Sequence, residues 1–474
     1  MELPIRPTID RRTVGRAAQR GASRRRVMGA VVSGLGGAGA LLLAGCRAGG
    51  EAPGAQTGAK SRAPVTVRSW IGEPNNERYP ATQAADAAIK LKYPHITVEH
   101  EVKPAGSQIE TTVAAAAADS LPDLIIAQGT SLQTFAIRGF FKPLDPYLAR
   151  DREFDLADFP KVAVEMYSWM GKQYAIPYDH APIMLFYNKE LFQQFGVSPP
   201  DSNWTMDDLL EGARKMHRPA EGIWGMAGFA PGGGFTMHGS FMLPWGGSLL
   251  NDAETETQID SKESIEALDF WAKTRLTHRV NPMPPAAGEP DARTLFTTGK
   301  AALHDAGLWA YRDIVVRKNR AEVPFTPDVA DWPKGPKGRF TSSMGSGYGI
   351  TKDSKHPDDA WLYLSEYVGK DMERSIMGQF LKTGFGIPVR LSLMAKWEVS
   401  PDFAPPSAKL VAPAAKYSVI GRPISPAKAE LDKIVNDAFA AVWAGTTSVS
   451  DAAREIKRLA QPVLEQNKQH AKSS

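Results

Sequence analysis

The sequence predicts an α/β protein of two domains behind a short leader. Three observations carry this reading. From Val65 onward, short alternating or apolar runs take turns with helical patterns. About 410 residues follow the leader and its tether, more than a single core usually holds. The one cysteine among 474 residues, Cys46, closes an apolar segment near the N-terminus.

A lone thiol cannot form an internal disulfide, so its position matters more than its chemistry. Upstream stand Ser23-Arg24-Arg25-Arg26-Val27-Met28 and then Gly29 to Leu43, apolar and rich in Gly and Ala. This is a basic region, an apolar region and a small-residue processing site in order. Leu43-Ala44-Gly45-Cys46 resembles a bacterial lipobox, and Ser-Arg-Arg followed by apolar residues resembles a twin-arginine export signal. The sequence does not decide between that route and general secretion. Gly29 to Gly45 is 17 residues with six glycines, short and weakly apolar for a span of about 20 residues. Residues 1–45 are therefore expected to be a signal peptide, and Cys46 a lipidation site.

Charge excludes one class of partner. Residues 1–45 hold eight arginines against Glu2 and Asp10 and so carry +6, which leaves −2 of the chain's formal +4 for the remainder. A near-neutral mature chain gives no electrostatic case for binding nucleic acid. No later stretch offers about 18 uncharged apolar residues. With no second cysteine, zinc-thiolate sites and thiol catalysis after Cys46 are excluded.

The elements follow in order. Residues 46–63 are rich in Gly, Ala and Ser and read as a flexible tether. Val65 to Trp70 alternates as a strand, Asn75 to Lys92 is helical, and Ile96 to Val102 alternates again. Ser107 to Asp119 is an Ala-rich helix, and Asp123 to Ala127 is a short apolar run suited to a buried parallel strand. This order implies a parallel sheet with helices on both faces. A second series opens with Pro182 to Asn188. Thr205-Met206-Asp207-Asp208 starts a helix as a capping box with Asp in place of Glu. Gly225 to Ala230 reads as a strand, Ser261 to Thr277 and Arg293 to Thr298 as helices, and Ala301 to His304 as a strand followed by a helix from Leu308. Pro324 to Gly338 is a Pro/Gly-rich break. Tyr348 to Ile350, a helix from Asp358 to Val368, and amphipathic helices Ala427 to Ala444 and Ser450 to Gln466 complete the chain.

Six landmarks now stand in a recognisable order. Leu121-Pro122-Asp123-Leu124 precedes an apolar strand, and Gly139-Phe140-Phe141-Lys142-Pro143-Leu144-Asp145 follows it. Gly171 to Asp179, reading GKQYAIPYD, leads into Leu185-Phe186-Tyr187-Asn188-Lys189. Trp204 to Leu209, Phe296 to Leu303 and Gly384 to Arg390 complete the set. Together they resemble the extracellular solute-binding proteins of ABC importers, the family that contains maltose-binding protein and many sugar-binding lipoproteins. Two segments depart from its pattern. Ala306-Gly307-Leu308-Trp309 stands where Gly-Pro-Trp is common, and Gly345-Ser346-Gly347-Tyr348 where Gly-Gly-Trp is common.

The resemblance implies a two-lobed periplasmic-binding-protein type II fold, with hinge crossovers and a ligand cleft between the lobes. Lobe one is expected at 64–179 and 330–385, and lobe two at 182–325 and 389–474. Crossovers are expected near Tyr178–Pro182, Val323–Asp331 and Lys382–Pro388. The implied role is capture of a sugar, oligosaccharide or similar polar solute and its delivery to ABC permease subunits. The protein would be exported and lipid-anchored on the outer face of the cell membrane or on its periplasmic side. A lipoprotein sensor or adhesin on the same scaffold, or a secreted carbohydrate-active hydrolase, is the alternative.

Parallel sheets place ligands beyond the carboxyl ends of their strands. That rule nominates Trp70, Glu73, Gln128, Asp179, Trp245, Trp309, Tyr348 and Arg390 as ligand-binding residues. Aromatic faces stack on sugar C–H surfaces, and planar polar groups pair with hydroxyls. Asp179 is expected as a ligand acceptor or a hinge hydrogen-bonder, and Arg390 as a ligand clamp. Trp271 and Trp361, within helices, are expected in the core. No Gly-x-Ser-x-Gly or His-Glu-x-x-His motif is present, and none of the nine scattered histidines pairs at helical spacing. No catalytic residue, metal site or cofactor is therefore expected, although the carboxylate pair Glu73 and Asp179 is not excluded by sequence for a glycosidase.

Overall fold

A computed structural model describes residues 62–72, 78–103, 108–229, 238–311, 314, 323–384, 386–405, 407–420 and 427–473. The expected leader, Cys46, most of the tether and Glu73 lie outside the described residues.

The first sheet begins as the sequence suggests. Strands β1 (Val65–Ile71), β2 (Ile96–Val102) and β3 (Leu124–Gln128) are parallel, with β1 in the middle. The crossover helices are Arg78–Lys92 and Gln108–Ala117. Alternate residues of a strand point to opposite faces. Val67 and Ile71 therefore enter one apolar layer with Ile89, Trp361 and Tyr367, while Trp70 enters another with Leu121, Ile125 and Phe135. The short strand β4 (Ile176–Pro177) closes the sheet's far edge.

The chain then enters the second lobe as β5 (Ala181–Asn188), buried along its whole length. Ile183, Leu185 and Tyr187 join a core with Leu209, Trp271 and Phe439, whereas Met184 and Phe186 join a second core with Phe296, Phe325 and Trp397. The capping box predicted at Thr205 forms. Thr205 Oγ1 accepts from the Asp208 N–H (3.2 Å), and Asp208 Oδ2 accepts from the Thr205 N–H (2.9 Å). Strand β6 (Trp224–Ala227) runs parallel to β7 (Ala301–Gly307), and β7 pairs antiparallel with β5. The other edge of β5 takes two strands end to end. Strand β8 (Pro327–Ala330) pairs with Leu185–Asn188, and β9 (Thr341–Met344) with Ala181–Pro182. Strand β10 (Ser346–Ile350) follows at once, lying antiparallel between β3 and β4 in the first sheet. Strand β11 (Ser418–Ile420) pairs parallel with β9. The helices Lys428–Trp443 and Val449–Ser473 cover the second lobe through Leu431, Val435, Ile456 and Leu464.

Three expectations change. The sheets are mixed rather than parallel, because β10 inserts antiparallel into one and β5 pairs antiparallel with β7, β8 and β9 in the other. Val323–Asp331 is not a crossover: its strand is part of the second sheet, and the passage lies at Met344–Ser346. The segment 330–344 accordingly packs with lobe two. The third passage also reaches further than Lys382–Pro388. Ile387 packs in a lobe-two core and Val389 in a lobe-one core, and helix Leu391–Trp397 sends Leu393 to lobe one and Met394 and Trp397 to lobe two.

Arg390 explains why the chain returns to lobe one there. Its guanidinium is buried between the rings of Phe154 and Phe159, with centroids at 4.8 and 4.3 Å. It donates to the carbonyls of Val368 (2.8 Å) and Asp155 (3.0 Å) and pairs with Asp158 (3.3 Å). A buried charge is retained where its donors are filled. Asp158 in turn accepts from the Ser392 N–H at the start of the bridging helix (2.9 Å).

Candidate functional site

The chain passes between the lobes twice at one place, and the two passages run side by side. Asp179 and His180 lead from β4 to β5, and Gly345 joins β9 to β10. Ser346 O accepts from the N–H groups of Tyr178 (2.8 Å) and Asp179 (3.2 Å), and the Ser346 N–H donates to Asp179 Oδ1 (2.6 Å). The Gly345 carbonyl accepts from the Gly129 N–H (2.9 Å), which ties the end of β3 to the same point. A Cβ at residue 345 would lie 2.5 Å from the Asp179 carbonyl oxygen, so the close approach needs glycine. Behind it, His180 Nε2 and Ser343 Oγ are hydrogen-bonded at 2.8 Å, both buried.

A cavity of about 330 Å³ opens at this junction. Lobe one supplies Gln128, Gly129 and Met166, and lobe two supplies Trp309 and Ile420. The passages supply Asp179, Ala181, Ser343, Met344, Gly345 and Ser346. Two glycines shape the wall. A Cβ on Gly129 would meet Met166 Sδ at 2.1 Å, and a Cβ on Gly307 would meet the six-membered ring of Trp309 at 1.8 Å. The half-buried Trp309 thus rests on bare backbone, which fixes its height above β7.

Asp305 stands two residues before Gly307, on the same face of β7. Its Oδ1 accepts from the Phe229 N–H (2.6 Å). Arg275 and Asn281 donate to the Gly228 carbonyl beside it. Burial pushes the Asp305 carboxyl up to about 7, against the Phe229 hydrogen bond and the nearby Arg275 charge. This cluster clamps the end of the segment that leaves β6.

The sequence-nominated residues divide. Gln128, Asp179 and Trp309 meet at the cavity. Four others have different work. Trp70 is 5% exposed in a lobe-one core, donates Nε1–H to Glu101 (2.8 Å) and lies under Lys103. Trp245 packs in the lobe-two core against Phe270 and Trp271, and Gly246, at φ +83°, ends its short helical turn. Tyr348 is 3% exposed and meets Tyr178 and Tyr367 edge-on in lobe one. Arg390 is held in lobe one as described. Trp271 and Trp361 are in cores, as expected. Met166, Ser343, Met344 and Ile420 were not anticipated; the Gly345-Ser346 departure was the one sequence signal near them.

A family model described as bacterial extracellular solute-binding protein matches residues 74–373. The chain belongs to that family. A lactose-binding protein of Rhizobium radiobacter is 23% identical over 313 residues, which is 65% of this chain and 71% of that protein. The solved ABC substrate-binding protein of Listeria monocytogenes in complex with cycloalternan superposes with a TM-score of 0.74 at 20% identity, over 84% of this chain and 99% of that one. The sugar-binding protein of Xanthomonas citri gives 0.71 at 22% identity, over 86% and 100%. These likenesses establish the two-lobed periplasmic-binding-protein type II fold, with the cavity above placed where its lobes join.

The buried ionisable groups set a pH dependence. Burial pushes His180 and His304 down from 6.5 to about 4. The folded chain then binds fewer protons than the unfolded chain between those values, so stability is lost as pH falls from 6.5 to about 4. Asp305, raised from 3.8 to about 7, acts oppositely and gains stability as pH falls through that range. Two histidines outweigh one carboxyl where the windows overlap. Thermal melts from pH 7 to pH 4 should therefore show a falling midpoint, a shallower fall in His304→Gln, and a steeper one in Asp305→Asn. Slopes unchanged in both variants would contradict these assignments.

Proposed function

We propose that this chain is the solute receptor of an ABC importer, capturing a carbohydrate between its lobes and presenting it to membrane permease subunits. The observation that carries the reading is a cavity at the junction of the lobes whose wall brings together Gln128 of lobe one, Trp309 of lobe two and Asp179 of the passage between them. An indole face suits the C–H surface of a sugar, while a carboxylate, an amide and hydroxyls suit its O–H groups. The lactose-binding relative and the cycloalternan complex support this ligand class. A solute that touches both lobes binds the closed form better than the open one, and its differential affinity drives closure. The lipobox-like Leu43 to Cys46 supports tethering on the outer face of the membrane, where such a receptor meets its permease.

Two outcomes follow. In calorimetry with a sugar found by thermal-shift screening, Trp309→Ala should weaken affinity by about 1–3 kcal/mol, roughly 5- to 150-fold. Trp245→Ala should instead cost about 3–5 kcal/mol of stability and leave the affinity of the folded fraction nearly unchanged. Equal affinity in Trp309→Ala and wild type would remove the indole from the site. In cell fractionation, Cys46→Ala should release the protein from membranes or leave an unprocessed precursor. A variant that migrates and fractionates like wild type would refute the lipid anchor.

A further inference from the structure

One polar side chain is buried where a helix of lobe one packs on its sheet. Helix Gln108–Ala117 buries Gln108, Thr112 and Ala116, four residues apart along one face. Gln108 opens that row and is 7% exposed. An amide in such a place is costly unless it is hydrogen-bonded. Both ends of this amide meet strand β3. Gln108 Nε2–H donates to the Ile126 carbonyl, and Gln108 Oε1 accepts from the Gln128 N–H (3.1 Å). The two partners fix which way the amide faces, because a carbonyl needs a donor and an N–H needs an acceptor.

These partners have a meaning in sheet geometry. On a neighbouring parallel strand, one residue donates to a carbonyl and accepts from the N–H two residues further on. Ile126 O and the Gln128 N–H, on either side of Ala127, are such a pair. Strand β1 covers β3 only through Ser69 opposite Leu124 and Trp70 opposite Ile125. Beyond that point the side chain of Gln108 stands in for the strand. On the other edge, β10 sets Tyr348 opposite Ile126 and Ser346 opposite Gln128, and the Gly129 N–H donates to Gly345 O (2.9 Å). The end of β3 is thus held from both sides where it enters the cavity wall as Gln128 and Gly129.

We infer that Gln108 is a positioning residue of the solute site: its amide fixes the place of Gln128 in the lobe-one wall, and through Gln128 it sets the affinity for solute. This rests on the carbohydrate reading above and deepens it. Gln108 is not among the described residues that line the cavity, so it acts through the strand end it holds. Gln128 caps helix Gly129–Ile137 without a hydrogen bond from its side chain, which leaves the turn to main-chain bonds. Binding groups must stay within about 0.5 Å of their productive place. A strand end with one uncovered edge opens locally at low cost, and a solute must then order it again on binding. The Gln108 amide removes that cost in advance.

The test is a double-mutant cycle read by calorimetry on the leaderless chain, with lactose, maltotriose and mannitol as probes. Gln108→Met keeps the length of the side chain and removes both hydrogen bonds. For a sugar that binds, it should weaken affinity about three- to tenfold, as Gln128→Ala also should. In the Gln128→Ala background the same change should cost less than about twofold, whereas in the Trp309→Ala background it should cost as much as in wild type. A general loss of stability would act equally in both backgrounds. Hydrogen exchange gives a second readout, which needs no variant to fold: the wild-type Gln128 N–H should exchange at least about a hundredfold more slowly than an unstructured amide. A Gln128 N–H that exchanges freely, an affinity unmoved by Gln108→Met or by Gln128→Ala, or an equal cost in the two backgrounds overturns the inference and leaves carbohydrate binding standing. If none of the three sugars binds, the carbohydrate reading fails and takes this inference with it.

Discussion

Asp179 grips Ser346 through both its main chain and its side chain, and the placement of each lobe follows from that grip. The two residues lie on neighbouring passages that run in opposite directions, so a hydrogen-bonded unit two strands wide joins the lobes. Gly345 is needed because the passages touch backbone to backbone, and Gly129 joins through its N–H. The same atoms wall the cavity. A solute that leans on Asp179 or Ser346 therefore presses directly on the connection between the lobes.

Each lobe is packed around cores of its own. Strands β1 and β3 send alternate side chains into separate apolar layers, and β5 does the same in the second lobe. A sheet packed on both faces resists internal shear, because close-packed cores do not deform continuously. On the proposed function, strain from a bound solute would be relieved where the backbone changes lobe: at Asp179–His180, at Gly345, and along helix Leu391–Trp397. That helix is pinned at its start by Asp158 and Arg390 and at its end by Trp397 against Tyr311.

Much of this was legible in the sequence, for physical reasons that also mark where legibility stops. The first three strands and their helices, the run that became β5, and the Thr205–Asp208 capping box are all fixed by local pattern. Strand β9 was not legible. Thr341, Ser342 and Ser343 are buried hydroxyls with no apolar period, and what makes them a strand is tertiary. Thr341 donates to the Ile183 carbonyl, Ser342 pairs with Ser240, and Ser343 pairs with His180. Missing that strand displaced the second crossover from Met344–Ser346 to Val323–Asp331. Gln128, Asp179 and Trp309, nominated because ligands gather where strands end, lie together in the wall of the cavity. Trp245, Tyr348 and Trp70 satisfied the same rule and failed, since a ring beside a turn can face either solvent or core, and packing decides which. Arg390 failed because its carbonyl partners at Asp155 and Val368 are remote in sequence.

On the proposed function, solute binding at the passages brings the two lobes together. Small-angle scattering of the leaderless chain, with and without a sugar shown to bind, tests this most directly. The radius of gyration should fall on saturation while the scattering mass stays constant. A scattering profile that is unchanged by a saturating sugar would contradict closure and place the binding event on one lobe alone.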